Sequence, residues 1–143
     1  MAFDDPRSEI ERLFAELVRR GRGGRFEPNV DVLLDECGGL LAVRVEVAGA
    51  DSESLRVFVD ERHLFIAGRR VDAADRRSGS FLQKEIEYGD FIKKIHLPVA
   101  VQYGEVTATY GDGILTIALP IADREYIPTT RTEIRMIVKR TLV

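Results

Sequence analysis

The chain has 143 residues, of which 45% are apolar and 31% charged, and its formal net charge is −3. This length suits one domain with short arms, and the acidic balance argues against a general nucleic-acid-binding protein. A single cysteine, Cys37, excludes a disulfide within the chain and indicates a reducing compartment. The sequence shows neither a signal peptide nor an apolar segment that would span a membrane. We therefore expect a cytoplasmic protein without a membrane partner.

Residues 5–20 have the spacing of an amphipathic helix. Their apolar residues recur with the helical period and would form one stripe, made up of Ile10, Leu13, Phe14, Leu17 and Val18. Asp5 can cap this helix, with Pro6 at the first helical position. The stripe needs a surface to lie against, and two interpretations remain open. The helix packs on its own domain, or it contacts other subunits or unfolded proteins.

Residues 19–25, RRGRGGR, form the one cationic patch of the sequence. Their glycine content predicts a linker after the helix. Arg-Gly segments also bind single-stranded nucleic acid, but this run is short and no aromatic residue beyond Phe26 accompanies it. We therefore expect a linker and do not expect a nucleic-acid partner.

From Val30 onward the hydrophobic period changes to two, which is typical of β-strands. We predict strands over 41–48, 55–59, 63–67, 81–88, 91–97, 105–110 and 114–119. About eight short strands separated by turn signals favour an all-β, antiparallel β-sandwich. The polar residues 69–80 are predicted to form a long loop. After Pro120 the sequence is irregular until a final apolar stretch at 134–138.

The stretch Gly111-Asp112-Gly113 has two interpretations, a phosphate-binding loop and a hairpin turn. A phosphate loop requires a helix behind it, whose N–H groups hold the anion. The residues that follow, 114–119, are instead apolar or β-branched and end at Pro120, which predicts a strand buried on both faces. Glycines supply the positive φ of a tight hairpin. We therefore predict a hairpin.

The sequence contains no pattern that indicates a catalytic, metal or cofactor site. His63 and His96 fall in predicted strands and lack the spacing of metal ligands. No nucleophile has a base at a known spacing, and no strand, glycine-rich loop and helix unit is present for a nucleotide. We therefore expect no enzyme and no cofactor, and a function that uses surfaces, edges and arms.

Four motifs occur in order along the predicted sandwich. They are Pro28-x-Val30-Asp31, Leu64-x-Ile66-x-Gly68, Glu85-x-x-Tyr88-Gly89-x-Phe91 followed by Leu97-Pro98, and Ala108-x-Tyr110-x-Asp112-Gly113-Ile114-Leu115 closed by Leu119-Pro120. Together they resemble the small heat-shock protein family, which is defined by the α-crystallin domain. The resemblance implies an immunoglobulin-like antiparallel β-sandwich with an N-terminal amphipathic helix and an extended C-terminal tail. It divides the chain into an N-terminal arm (1–27), an α-crystallin domain (28–122) and a C-terminal extension (123–143).

The resemblance implies an ATP-independent holdase that binds partly unfolded proteins and suppresses their aggregation. The protein would pair with itself as a homodimer and could assemble further, and the apolar stripe of the arm would contact clients. The alternative is a specific co-chaperone or assembly factor with the same sandwich and one dedicated partner. A nucleic-acid binder that uses residues 19–25 and an enzyme with a dispersed site are weaker alternatives.

The resemblance also implies contact sites. A groove for a partner's C-terminal segment would be lined by Leu55, Val57, Val59, Val106 and Ala108, each of which is equally well explained as ordinary core. The segment that fills it would use Ile134, Met136 and Val138. Residues 69–88 would pair with the neighbouring subunit or fold back on their own sheet; the candidate dimer contacts are Phe81, Leu82, Ile86 and Lys93.

The sequence departs from the family pattern at three places. Val47-Ala48-Gly49 stands where the family usually has Leu-Pro-Gly. Lys93 replaces an arginine and loses the planar fork of that side chain, which weakens a salt bridge across the dimer. Met136 replaces an isoleucine or valine in the C-terminal anchor.

Overall fold

The structure is a computed structural model that describes residues 12, 26–60, 62–72, 79–122 and 132–138. Its strands are β1 (Val30–Asp35), β2 (Leu40–Glu46), β3 (Arg56–Val59), β4 (His63–Arg70), β5 (Gly89–His96), β6 (Thr107–Gly111), β7 (Ile114–Pro120), β8 (Thr132–Ile134) and β9 (Met136–Val138). Two short 3-10 helices, Ser52–Ser54 and Tyr103–Glu105, lie in the connections. Apart from Arg12, the predicted helix at 5–20 lies outside the described residues, as do its five stripe residues.

The described strands form a β-sandwich of two sheets, which confirms the predicted fold class. One sheet has the order β1-β2-β7-β6-β9 and the other the order β5-β4-β3-β8. Among the described strands every pairing is antiparallel except that of β6 with β9, which is parallel. The apolar residues that alternate along each strand lie on one face of its sheet. The two sheets therefore pack with these apolar faces against each other.

The core lies between the two sheets and consists of alternate residues of the facing strands. The five-stranded sheet contributes Leu41, Val43, Val45, Leu115, Ile117 and Leu119, and the four-stranded sheet contributes Val57, Val59, Leu64, Ile66, Phe91 and Ile95. Thr116 in the middle of β7 is exposed. The prediction that this strand is buried on both faces is therefore wrong, because the outer face of the five-stranded sheet carries polar residues such as Thr116, Arg44 and Glu46.

Gly68 in β4 makes room for the largest fully buried side chain of the core, Phe91. The two residues lie opposite each other in the β4–β5 register. A Cβ on Gly68 would lie 2.6 Å from Phe91 Cζ and 2.7 Å from Leu55 Cδ2. The Phe91 ring also packs edge-on against Phe26, with the two ring centroids 4.9 Å apart. The glycine of the Leu64-x-Ile66-x-Gly68 motif is thus required by the packing of one aromatic ring.

The Gly111-Asp112-Gly113 stretch forms the turn between β6 and β7, as predicted. Asp112 and Gly113 have φ values of 53° and 77°, the conformation that a type I′ hairpin turn requires. The Val47 amide donates to the Gly113 carbonyl at 2.9 Å, and the Tyr110 hydroxyl donates to the Val47 carbonyl at 2.8 Å. Burial raises the pKa of Tyr110 above its ordinary value. The hairpin is thereby tied to the end of β2.

We expect Gly113→Ala to lower the free energy of unfolding by about 1–2 kcal/mol, because an L-residue is strained at this positive φ. The new methyl group would also lie 3.0 Å from Ala48 Cβ. Gly104→Ala is the matched control, since a Cβ there would meet nothing within 4 Å. Urea unfolding of both variants measures the difference, and equal midpoints would contradict the strain argument.

The predicted strand at 81–88 is wrong for the single chain, because the described residues 79–88 form no strand and β5 begins at Gly89. An extended segment becomes a strand only when a neighbour pairs with its backbone. No described strand of either sheet pairs with residues 81–88. Residues 81–88 therefore have the period-two pattern of a strand but pair with no strand of the described chain. The interpretation that they fold back on their own sheet is also wrong for the described chain.

Candidate interaction surfaces

Residues 132–138 lie across the edges of both sheets on one side of the sandwich. β8 pairs antiparallel with β3 and places Ile134 opposite Val57. β9 pairs in parallel with β6 and places Met136 opposite Ala108. The segment changes sheet at Arg135, between the two short strands. It thus covers two strands, β3 and β6, whose backbone groups would otherwise be open edges.

The five residues predicted to line a groove are all buried, and three of them lie on strands that pair with this segment. Leu55, Val57, Val59, Val106 and Ala108 are buried and belong to the same core cluster as Ile134. β3 and β6, which carry three of them, are the strands that pair with the segment. The structure therefore places Val57, Val59 and Ala108 opposite residues 132–136 of the same chain, while all five predicted groove residues form part of the core.

The three predicted anchor residues differ in their burial. Ile134 is 7% exposed and packs in the core, and Met136 is half-buried against it. Val138 is exposed, as is its neighbour Ile137. Arg56 Nε lies 3.8 Å from Glu133 Oε1, an exposed ion pair that contributes little. Of the described residues of this segment, Ile134 supplies the deepest apolar contact.

Arg70, the last residue of β4, contacts both Phe26 and the segment just before β5. Its guanidinium carbon lies 3.8 Å from the centroid of the Phe26 ring. Its Nε donates to the Glu87 carbonyl at 2.7 Å, and its Nη2 donates to the same oxygen. A cation–π contact and two charged hydrogen bonds therefore join residue 87 to Phe26. Sequence reasoning assigned Arg70 to the loop, because a charged residue at a strand end carries no periodic signal.

Phe81, Leu82 and Ile86, three of the predicted dimer contacts, have exposed side chains in the single chain. Leu82 is fully exposed, and more than half of each of the other two is exposed. Lys84 Nζ lies 5.3 Å from the Phe81 ring centroid and 5.1 Å from that of Tyr88. Large apolar side chains exposed close together mark an interaction surface. The structure packs none of these three against the core.

Lys93, the fourth predicted dimer contact, forms an ion pair within the chain. Its Nζ lies 3.1 Å from Glu27 Oε1. It belongs to β5, an edge strand of the four-stranded sheet. The pair therefore connects this edge to the residues that precede β1.

Strand β1 is an apolar open edge that sequence reasoning missed. Among the described strands it pairs with β2 alone. Val32, Leu33 and Leu34 are all exposed. An exposed edge with apolar side chains favours pairing with another chain. The signal in the sequence was the apolar run between Asp31 and Asp35, which does not alternate.

The two histidines lie opposite each other in the β4–β5 register, although they are far apart in sequence. The ring centroids of His63 and His96 are 5.6 Å apart, and His63 Nδ1 lies 3.4 Å from Asp60 Oδ1. Within the described residues, no group of three or more His, Cys, Asp and Glu side chains could hold a metal ion. None of the helices in the described part of the chain is long and apolar enough to cross a membrane. Cys37 is exposed in the turn after β1.

Comparison with known proteins identifies the family of this chain. Residues 38–136 match the Hsp20/alpha crystallin family. The chain is similar to small heat shock protein C4 of Rickettsia felis, with 32% identity over 95 residues, which cover 66% of this chain and 57% of that protein. It is also similar to alpha-crystallin of Mycobacterium bovis, with 31% identity over 124 residues, 82% of this chain and 83% of that protein. The chain thus spans 57% of the length of the Rickettsia relative.

The architecture is also similar to solved structures of such proteins. Heat shock protein 16.0 from Schizosaccharomyces pombe superposes with a TM-score of 0.64 at 24% identity, covering 74% of this chain and 96% of that one. At this identity the likeness shows the fold alone. The family match from residue 38 to residue 136 includes the three glycine-containing motifs and the anchor residue Ile134. The chain therefore belongs to the Hsp20/alpha crystallin family, a family of ATP-independent chaperones rather than of enzymes.

Proposed function

We propose that this protein is a holdase, which binds partly unfolded proteins and suppresses their aggregation without ATP. The observation that carries the proposal is the large apolar side chains exposed on β1 and in residues 81–86 of a family member. Each such side chain gains about 1.5–3 kcal/mol when a bound protein buries it. Several contacts of this size suit binding to many unfolded sequences, and none of them needs a nucleotide.

The N-terminal arm (1–27) supplies a second apolar surface in this proposal. The stripe of Ile10, Leu13, Phe14, Leu17 and Val18 contacts clients when residues 5–20 are helical. The α-crystallin domain (28–122) carries this arm and the C-terminal extension (123–143). A lone cysteine, Cys37, supports a reducing compartment, and we place the protein in the cytoplasm.

The proposed building block is a homodimer formed by strand addition. Residues 81–86 present apolar side chains and no described strand pairs with them, while β1 offers an open edge of the same character. Pairing of the segment from one copy with β1 of a second copy would satisfy both backbones, while the apolar side chains project from the faces of the joined sheet and stay available to clients. Lys93 would then lie close to the new interface through its contact with Glu27.

Further assembly uses the groove between β3 and β6. In the described chain this groove holds its own residues 132–138. The same strand edges would accept the corresponding segment of a neighbouring copy, with Ile134, Met136 and Val138 in the same registers. Such an exchange would join dimers without a new surface.

Aggregation of a heat-labile or reduction-labile test protein, followed by light scattering without ATP, tests the proposal. The solution mass of the protein is recorded in the same buffer. We expect suppression near one chain per client chain, together with the mass of a dimer or a larger species. Removal of residues 1–20 should weaken suppression if the arm contacts clients.

Absence of suppression at excess protein, together with a monomeric mass, would overturn the holdase proposal. A specific co-chaperone or an assembly factor with one dedicated partner would then be the better description. Leu17→Asp and Ala15→Asp form a matched pair for the arm, since both add one negative charge but only Leu17 belongs to the stripe.

A further inference from the structure

Two buried phenylalanines lie on the face of the four-stranded sheet that points away from the core. Phe58 in β3 and Phe65 in β4 are opposite each other in register, and each is 5% exposed. Ala67 is buried beside them, and Ile92 of β5, opposite Ala67, is half-buried. These four residues form what we call the outer patch. Phe58 and Phe65 form an apolar cluster separate from the main core.

The outer patch is unusual when compared with the equivalent face of the other sheet. There the outward positions of β2 and β7 include the exposed Arg44, Glu46 and Thr116, beside half-buried apolar residues. A solvated sheet face is expected to look like this. The continuous apolar runs of β3 and β4 instead give the four-stranded sheet two apolar faces, which is typical of a sheet covered on both sides.

The burial of the outer patch requires a cover. Every described strand belongs to one of the two sheets of the sandwich, so none of them lies over this face. The side chains that flank Phe65 within its own sheet are Lys94, with its Nζ 5.8 Å from the ring centroid, and His63, 6.0 Å between centroids. Polar neighbours at the rim and phenylalanines at the centre are the usual composition of a docking surface.

We propose that the cover is the N-terminal arm of the same chain, with Ile10, Leu13, Phe14, Leu17 and Val18 placed on the outer patch. Residues 10–18 in a helix would be about 14 Å long. The distance from β3 to β5 is about 10 Å, because neighbouring strands lie about 4.8 Å apart. One short apolar helix therefore matches one three-strand patch in size and in chemistry.

The connection between the arm and the domain allows this placement. Phe26 packs on Phe91 of β5, and β5 is an edge strand of the sheet that carries the outer patch. Residues 19–25 can span up to about 25 Å when extended, whereas the chain has only to pass round one strand. Their three glycines permit the turn that this path needs. The outer face of the other sheet carries exposed polar side chains such as Arg44 and Thr116 instead.

Docking of the arm on the outer patch would bury the same stripe residues that the proposed function assigns to client contacts. What docking implies for client binding therefore rests on the proposed function. A client and the outer patch would compete for the stripe. The bound client would replace apolar contacts that the chain already makes, and the unoccupied arm would expose little apolar surface.

Cross-linking tests the placement directly in the full-length chain. In a Cys37→Ser background, Ile92→Cys provides a thiol at the outer patch. A second thiol is placed on the stripe by Leu13→Cys or Leu17→Cys, or on the opposite side of the helix by Ser8→Cys or Arg12→Cys as controls. A short bismaleimide joins thiols that lie near each other. Light and 15N-labelled copies are mixed beforehand, so that mass spectrometry separates links within one chain from links between chains.

We expect stripe positions to link to residue 92 within one chain roughly tenfold more than the controls, the ratio that a docking free energy of about 1.4 kcal/mol produces. Leu17→Asp should raise the rate of maleimide labelling of Ile92→Cys by a similar factor, and Ala15→Asp should not. Equal yields at all positions would overturn the proposal. Links between light and heavy copies would also overturn it, because they would show that a second copy supplies the cover.

The outcomes for docking and for the proposed function are separable. If stripe positions link to residue 92 but aggregation is not suppressed, the docking stands and the holdase proposal fails. If suppression depends on residues 1–20 but no position links preferentially, the holdase proposal stands and the docking fails.

Discussion

Phe91→Ala is expected to lower the free energy of unfolding by about 3–5 kcal/mol, the usual cost of removing a buried phenylalanine. Among the described residues Phe91 is the largest fully buried side chain, and its ring contacts Phe26 and fills the space above Gly68. Small domains are stable by about 5–15 kcal/mol, so the variant should stay near the limit of folding. Urea or thermal unfolding measures the change. Phe81→Ala is the control, because Phe81 is 63% exposed and its loss should cost no more than about 0.5 kcal/mol.

A double-mutant cycle with Gly68 sharpens this prediction. Gly68→Ala alone should destabilise the protein by about 1–3 kcal/mol, because the new methyl group overlaps the Phe91 ring. In the Phe91→Ala background that overlap is absent, and most of the cost should disappear, although Leu55 Cδ2 remains close. An equal cost in both backgrounds would show that the ring does not constrain this glycine.

Ile134→Asp is expected to release residues 132–138 from the groove. Burial of an isoleucine contributes about 1.5–3 kcal/mol, so its loss should lower the docking equilibrium by about 10- to 100-fold. A carboxylate placed among Val57, Val59 and Ala108 would add a desolvation cost. Faster hydrogen exchange at the backbone amides of β3 and β6 would report the release, while β2 and β7 stay protected.

Ile137→Asp provides the control for this release. Ile137 belongs to the same short segment and receives the same charge, but it is 61% exposed. Its exchange pattern should match that of the unchanged chain. If both variants, or neither, free the edges of β3 and β6, then Ile134 is not the contact that holds the segment.

Most of the sandwich could be predicted from the sequence because its strands have one buried face. β2 illustrates this, since Leu41, Val43 and Val45 point into the core and Arg44 and Glu46 point outward. The β6–β7 hairpin was equally clear, because only glycine and a few polar residues accept the φ values of its turn. In both cases the information is local.

The surfaces were predicted less well because they depend on pairing between distant parts of the chain. Residues 81–88 alternate like a strand, yet among the described strands none pairs with them. The apolar run in β1 does not alternate, yet it pairs with β2 along its whole length. Phe58 and Phe65 lie in the strands predicted at 55–59 and 63–67, but only the structure shows that they pack together on the face away from the core. Periodicity indicates which side chains share one face of a strand, but it does not show which part of the protein packs against that face.

Residues 132–138 cover the edges of β3 and β6 within the same chain, and this affects how the protein responds to dilution. A segment that is tethered to its own groove acts at an effective concentration in the millimolar range. The occupancy of the groove by the chain's own segment is therefore independent of protein concentration, whereas the proposed pairing between β1 and residues 81–86 of two copies would depend on it. A neighbour's segment can displace the chain's own only where assembly raises its local concentration to a similar value. Dilution should therefore dissociate contacts at the β1 edge while the edges of β3 and β6 remain covered.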